Sequence, residues 1–278
     1  MSDRFTSIGR MVAGGVAAVF AAALLALSPG RASAQPLRVC ADPDYLPYSN
    51  RAQQGFENKI AAAVATALGE TVRYTWKTTR GTGGFDQFIQ DTLNAKRCDL
   101  IVDVPYAIQG MLATHPYYVS SYVFVYPKKK NYDIQSMDSP DLRKLRIGYE
   151  TDTPGESGLK IRALILHGVP FDIGDTEGAS PREMLDALKS GRIAVAVTWE
   201  PAIGLYLHSF PNLEVTAVPN SRSQGSPEQY AFPMAMAVRT GDTKLQTQLN
   251  RVIANKQPEL TRILTRYGVK LYQPGLNL

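Results

Sequence analysis

The sequence predicts an α/β protein built as two lobes joined by two crossing strands. Two observations carry that expectation. The order strand–helix–strand–helix–strand occurs twice along the chain, and a long alternating β-segment lies after each occurrence. Parallel neighbours need a crossover between them, so a helix between successive strands gives sheets covered on both faces.

In the first unit, Leu37–Ala41 reads as a short apolar strand. Glu57–Leu68 places Ile60, Val64 and Leu68 at i, i+4 and i+8, one face of a helix that stops at Gly69. Thr71–Trp76 alternates as a strand, Phe85–Lys96 reads as a helix, and Asp99–Val104 as the third strand. In the second unit, Leu145–Tyr149 is a strand, Gly158–His167 a helix and Phe171–Ile173 a short strand. Ser180 then stands as an N-cap, with Pro181 at the first helical position and Glu183 completing a capping box. Met184, Leu185 and Leu188 form the apolar face, Gly191 ends the helix, and Ile193–Thr198 is the next strand.

Ser120–Tyr126 alternates Tyr122, Phe124 and Tyr126 with Val123 and Val125, and leads from the first unit to the second. Pro233–Arg239 alternates Met234, Met236 and Val238 with alanines, and returns. Asp242–Asn255 and Pro258–Tyr267 are helical by spacing and are expected to pack back on the first unit. Residues 35–121 with 238–278 then make lobe 1 and residues 122–237 lobe 2; one continuous doubly wound domain is the alternative.

Composition narrows the function. With 278 residues, 44% hydrophobic and 20% charged, the chain fits a globular protein and excludes disorder and a polytopic membrane protein. Residues 1–34 read as an export signal: Arg4 and Arg10, the apolar run Met11–Leu27, the breaker Ser28-Pro29-Gly30, then Ala32-Ser33-Ala34 for cleavage. The run of 17 residues is marginal for spanning ~30 Å of hydrocarbon. The periplasm is therefore the expected address, with no stable membrane insertion after cleavage. From Gln35 onward the net charge falls from +5 to +3, too little to imply nucleic acid. In an oxidising compartment the two cysteines, Cys40 and Cys98, suggest a disulfide, with two buried free thiols as the alternative. No metal site is expected, because there is no CxxC and His115, His167 and His208 are isolated.

Several motifs resemble type II periplasmic solute-binding proteins: Leu37–Asp42 followed by Tyr45–Asn50, Gly55-Phe56-Glu57, His115–Tyr118 and Tyr267-Gly268-Val269. The resemblance implies a clamshell with a cleft at the carboxyl ends of the strands, where open α/β sheets place ligands. Val39–Pro43, Leu46–Asn50, Gly55–Asn58 and Thr92–Asp99 with Val104-Pro105 are similar to the MxaJ/XoxJ-type J components of bacterial methanol oxidation systems. That narrower resemblance implies an accessory factor for a quinoprotein (PQQ-dependent) alcohol dehydrogenase, with its cytochrome c as a further candidate partner. Thr78–Gly84 departs from it, being longer and richer in glycine.

Amino-acid receptors of this fold grip the ligand carboxylate with an Arg and its ammonium with an Asp; a guanidinium fork suits the first task. The matching positions hold Ala107 and Trp199. Candidate cleft residues are Asp42, Tyr45, Tyr48, Trp76, Asp103, Tyr106, Tyr117, Tyr118, Glu150, Trp199 and Glu200. Thr151 and Thr153 precede a helix and fit either an anion site or plain capping. Asp42 with Asp44 fits a turn better than a cation site. No nucleophile elbow, zinc-protease or phosphate-loop motif is present. A monomeric, non-enzymatic protein without cofactor is expected. It would be either the accessory factor or the binding component of an importer for a small, largely apolar or aromatic solute.

Overall fold

The protein, seen in a computed structural model, is described over residues 35–272, so the expected export signal lies outside the described residues. The first half contains β1 (Leu37–Ala41), a small hairpin of β2 (Asp44–Tyr45) and β3 (Ser49–Asn50), α1 (Phe56–Leu68), β4 (Val72–Trp76), α2 (Gly84–Ile89), β5 (Ile101–Pro105) and β6 (Met111–Ala113). The strand β7 (Tyr118–Pro127) leads into β8 (Ile147–Glu150), α3 (Pro154–Ile161), β9 (Val169–Phe171), α4 (Arg182–Ser190), β10 (Val195–Trp199), α5 (Glu200–Leu207) and β11 (Leu213–Ala217). β12 (Ala231–Arg239) returns, and α6 (Thr243–Arg266) closes the described chain.

The strands follow the order β9-β8-β10-β7-β12-β5, and β1 joins β5 by a Val39–Leu100 bridge while pairing with β4 on its other side. Each half therefore repeats one plan, three parallel strands with the first in the middle, bordered by one antiparallel crossing strand. The crossing strands are shared. β7 pairs with β12 through Tyr118–Ser121 and with β10 through Tyr122–Val125. β12 pairs with β7 through Ala231–Met234, then with β5 and β6.

Alternation decides the packing of β7. Tyr122, Phe124 and Tyr126 enter one core with Leu159 of α3, while Val123 and Val125 enter another with Leu185 and Leu188 of α4. With both faces covered, the stretch Tyr122–Tyr126 carries only aromatic and aliphatic side chains. In the first half Phe56, Ile60 and Val64 of α1 meet Leu249, Leu260 and Leu264 of α6, and Phe88 and Leu93 cover the opposite face. Where α5 meets the segment after α6, Gly204 and Gly268 touch backbone to backbone; a Cβ on Gly268 would lie 2.3 Å from the Gly204 carbonyl oxygen.

Some elements differ from expectation. The tail is one helix through Pro258, because Leu249, Val252, Ile253, Leu260 and Leu264 share one buried face while Ala254 and Pro258 are exposed. Water can satisfy the carbonyl that the proline leaves unpaired, so continuous burial outweighs one missing bond. The helix expected over Phe85–Lys96 is α2 followed by a wider π turn, Gln90–Asn94. α4 starts at Arg182, yet Glu183 still reaches back to the Ser180 amide at 3.0 Å. The second-half helix begins earlier, at Pro154 with Thr153 as its cap, and ends at Ile161, with a separate 3₁₀ turn, Leu164–His167, after it.

Two covalent or ionic ties fix the halves. Cys40 and Cys98 form a disulfide with Cα atoms 5.4 Å apart. In the second half the buried Arg162 guanidinium donates to Glu228 at 2.6 and 2.9 Å and to Asp138 at 2.7 and 3.1 Å, while the Tyr230 hydroxyl donates to Glu228 at 2.6 Å.

Two stability outcomes are expected. Replacing both cysteines by alanine should lower unfolding stability by about 2–4 kcal/mol, since the bridge closes a long loop. Arg162→Met should cost more, about 3–5 kcal/mol, because it strands the Glu228 carboxylate in the interior. Denaturant titration measures both.

Candidate functional site

Four strands end at the gap between the two halves. Asp42 follows β1, Asp103 and Pro105 lie on β5, Glu150 ends β8 and Trp199 ends β10. Two adjoining cavities, of about 340 and about 180 Å³, fill this gap and share Tyr48, Trp199 and Met234 as walls.

The larger cavity is aromatic. Tyr122, Trp199 and Phe232 form a corner, with ring centroids 5.2 to 6.4 Å apart and planes inclined by 55° to 73°. Tyr48 faces them from the first half, and Pro105, Pro154 and Met234 complete the apolar wall. Among the described residues Glu150 is the single charged one on that wall, 8% exposed, and none of them donates a hydrogen bond to its carboxylate. Burial pushes the Glu150 carboxyl up to about 7, and nearby Asp175 adds to the effect.

The smaller cavity is acidic, lined by Asp42, Glu57 and Asp103. Asp42 accepts from the Thr79 amide at 2.7 Å, the Thr79 hydroxyl at 3.0 Å and the Asp44 amide at 2.8 Å, so it shapes a turn. Asp103 is pushed up to about 7 by burial, although the Tyr117 and Tyr118 hydroxyls donate to it and pull the other way. Burial also raises Glu57 well above the usual carboxylate range, with Asp103 contributing.

One guanidinium reaches the gap. Thr78–Gly84, with Gly81, Gly83 and Gly84 all at positive φ, carries Arg80 across to the second half. Arg80 Nη1 donates to the Thr176 and Ala179 carbonyls at 3.1 and 3.0 Å, Nη2 donates to the Asp44 carbonyl, and the group lies 4.5 Å over the Tyr45 ring. The Gly81 amide adds a bond to the Asp175 carbonyl at 2.7 Å. The tie joins the first-half loop to residues 175–179 through the chain's own groups.

The structure thus brings Asp42, Tyr45, Tyr48, Asp103, Glu150 and Trp199 to the two cavities. It places the other candidates elsewhere. Trp76 stacks on Tyr74 at 4.5 Å outside both cavities, and Tyr106 is 48% exposed. Tyr117 and Tyr118 are core residues whose hydroxyls hold Asp103 from behind. Thr151 bonds Asp172, and Thr153 caps α3 by accepting from the Glu156 amide at 3.3 Å. Glu200 is buried, accepting from the Lys270 amide at 3.1 Å, and burial pushes it up to about 7. Ala107 is exposed.

Sequence reasoning missed Glu57, Phe232, Met234 and Arg80, and assigned Tyr122 to the hinge alone. Glu57 looks like a helix-start residue, and only the Gly-rich departure at Thr78–Gly84 marked the Arg80 loop. Among the described residues no group of three His, Cys, Asp or Glu side chains is placed to hold a metal ion.

Residues 37–270 match the bacterial extracellular solute-binding proteins, family 3. Protein MoxJ of Methylorubrum extorquens AM1 is 29% identical over 261 residues, covering 88% of this chain and 84% of that protein. The crystal structure of MxaJ from Methlophaga aminisulfidivorans MPT superposes with a TM-score of 0.77 at 24% identity, over 85% of this chain and all of that one. The periplasmic binding protein XoxJ from Methylobacterium extorquens AM1 gives a TM-score of 0.68 at 29% identity, over 85% of this chain and 99% of that one. The similarity to proteins of the MxaJ/XoxJ type therefore extends over most of the sequence, and the type II periplasmic binding protein fold is confirmed.

Two outcomes follow from the geometry. Glu150, Glu200 and Asp103 hold protons in the folded state that the unfolded chain releases near its ordinary carboxylate range. Stability should therefore be greatest on the acidic side and fall as pH rises from about 4.5 to about 7. Asp138, held down to about 2 chiefly by Arg162, works oppositely and loses its contribution below about pH 4. Melting temperature against pH checks both, and Glu200→Gln should flatten the upper limb. Arg80→Ala should speed hydrogen exchange at residues 172–179, and Arg80→Lys should not restore protection, because a lysine lacks the planar fork.

Proposed function

The chain belongs to family 3 of the bacterial extracellular solute-binding proteins, and we propose that it acts as an accessory factor of a periplasmic PQQ-dependent alcohol dehydrogenase system linked to methanol oxidation. It would bind the dehydrogenase and aid its assembly or activation, without catalysis of its own. The observation that carries this reading is the Arg80 tie. The two sides of the gap are joined by the chain's own guanidinium and carbonyls, so closure does not rely on a ligand and the outer surface keeps one shape. Similarity to proteins named MoxJ, MxaJ and XoxJ supports the choice of partner.

The proposed lobes are residues 35–121 with 238–278, and 122–237. Their support is the strand order, with three parallel strands on either side of the β7–β12 pair. A periplasmic address is supported by the sequence-predicted export signal and by the Cys40–Cys98 bridge, which oxidising compartments favour. No described helix is long and apolar enough to cross a membrane. The working unit proposed is a monomer.

A second reading, the binding component of an importer for a small solute that is not an amino acid, is favoured by the cavity of about 340 Å³. The family fold serves either role.

Copurification with the cognate dehydrogenase is the decisive experiment. The expected result is a complex, and faster activation of the purified apo-enzyme when this protein is present; identical activation without it would remove the accessory role. Standard amino acids should give no thermal shift, because Ala107 and Trp199 stand where the carboxylate and ammonium anchors would be. A shift of several degrees with any of them would restore the receptor reading.

A further inference from the structure

The larger cavity combines two features that specify a ligand chemistry. Glu150, 8% exposed, lines it, and its carboxyl has no hydrogen-bond donor among the described residues. The rings of Tyr48, Tyr122, Trp199 and Phe232 line the same cavity. Among the described residues no Lys, Arg or His side chain lines either cavity. A buried carboxyl without a partner is drawn to its charged form by a positive charge set beside it, and aromatic faces attract a cation through their quadrupole.

The surroundings select the kind of cation. A hard metal ion needs several oxygen ligands, whereas this wall offers one carboxylate among rings, prolines and a methionine. A weakly hydrated organic cation suits such a wall. A carboxylate on the ligand would meet Asp42, Glu57 and Asp103 in the adjoining cavity, so a zwitterion is disfavoured. A volume of about 340 Å³ fits a compact molecule.

We infer that this cavity binds a small alkylated ammonium ion lacking a carboxylate, its charge set against Glu150 and the Trp199, Tyr122 and Phe232 rings. The inference rests on reading the cavity as a ligand site and is independent of the dehydrogenase partnership.

The test is a titration of the purified protein with choline chloride and tetramethylammonium chloride at constant ionic strength, followed by calorimetry and tryptophan fluorescence. Trp199 lines the cavity and is one of only two tryptophans in the chain. Dimethylbutanol, the neutral carbon isostere of choline, and glycine betaine, which adds a carboxylate, serve as comparisons. The expected result is saturable binding of the two cations, with the alcohol and the betaine weaker by about tenfold or more. Glu150→Gln should lose a similar factor for choline while binding the alcohol unchanged, its melting transition showing that it is folded.

Equal binding of choline and the alcohol, or an unaffected Glu150→Gln variant, would overturn the cation assignment while leaving a ligand site. Absence of saturation by all four compounds up to about 10 mM would overturn the ligand site itself. Neither result bears on the copurification experiment.

Discussion

The antiparallel register between Tyr118–Ser121 and Ala231–Met234 is the constraint on which the rest depends. Each crossing strand pairs with the other at one end and with its own half at the other end, so the two halves are joined through a single continuous ladder. A slip of one residue would turn Tyr122, Phe124 and Tyr126 into the core built for Val123 and Val125. The same slip would rotate Tyr122 away from the gap, and a slip of β12 would do so to Phe232 and Met234. Hinge and cavity wall are one object.

The gap sets a conflict between burial and charge. Apolar walls exclude water, yet Glu57, Asp103 and Glu150 keep their carboxyls there, and burial raises all three. Asp103 has two tyrosine hydroxyls for support, while Glu150 has none among the described residues. Each buried carboxyl without a donor lowers the stability of the folded chain at neutral pH. Arg162 shows the opposite solution in the second half, where two carboxylates surround one guanidinium.

Much of the fold is legible in the sequence because it is set by local period. The spacing of Ile60, Val64 and Leu68 and the alternation along Tyr122–Tyr126 each identify an element and its buried face. Pro258 misleads, since a one-residue signal is overruled by a face that extends on both sides of it. The site is less legible. Residues at strand ends, such as Asp103, Glu150 and Trp199, can be anticipated from topology. Phe232 and Met234 cannot, because they look like ordinary hinge residues until pairing with β5 and β7 fixes their side. Tyr117 and Tyr118 mislead for the same reason: adjacency to the hinge does not say which face a ring takes. Arg80 acts through carbonyls nearly a hundred residues away, a relation with no local trace.

The glycine contact at Gly204 and Gly268 has an evolutionary consequence. Two main chains that touch without side chains leave no room for trial at either position, so drift in one cannot be answered by a complementary change in the other. Descendants of this protein can rebuild the gap residue by residue, but the seam between α5 and the stretch beyond α6 should stay frozen through that history.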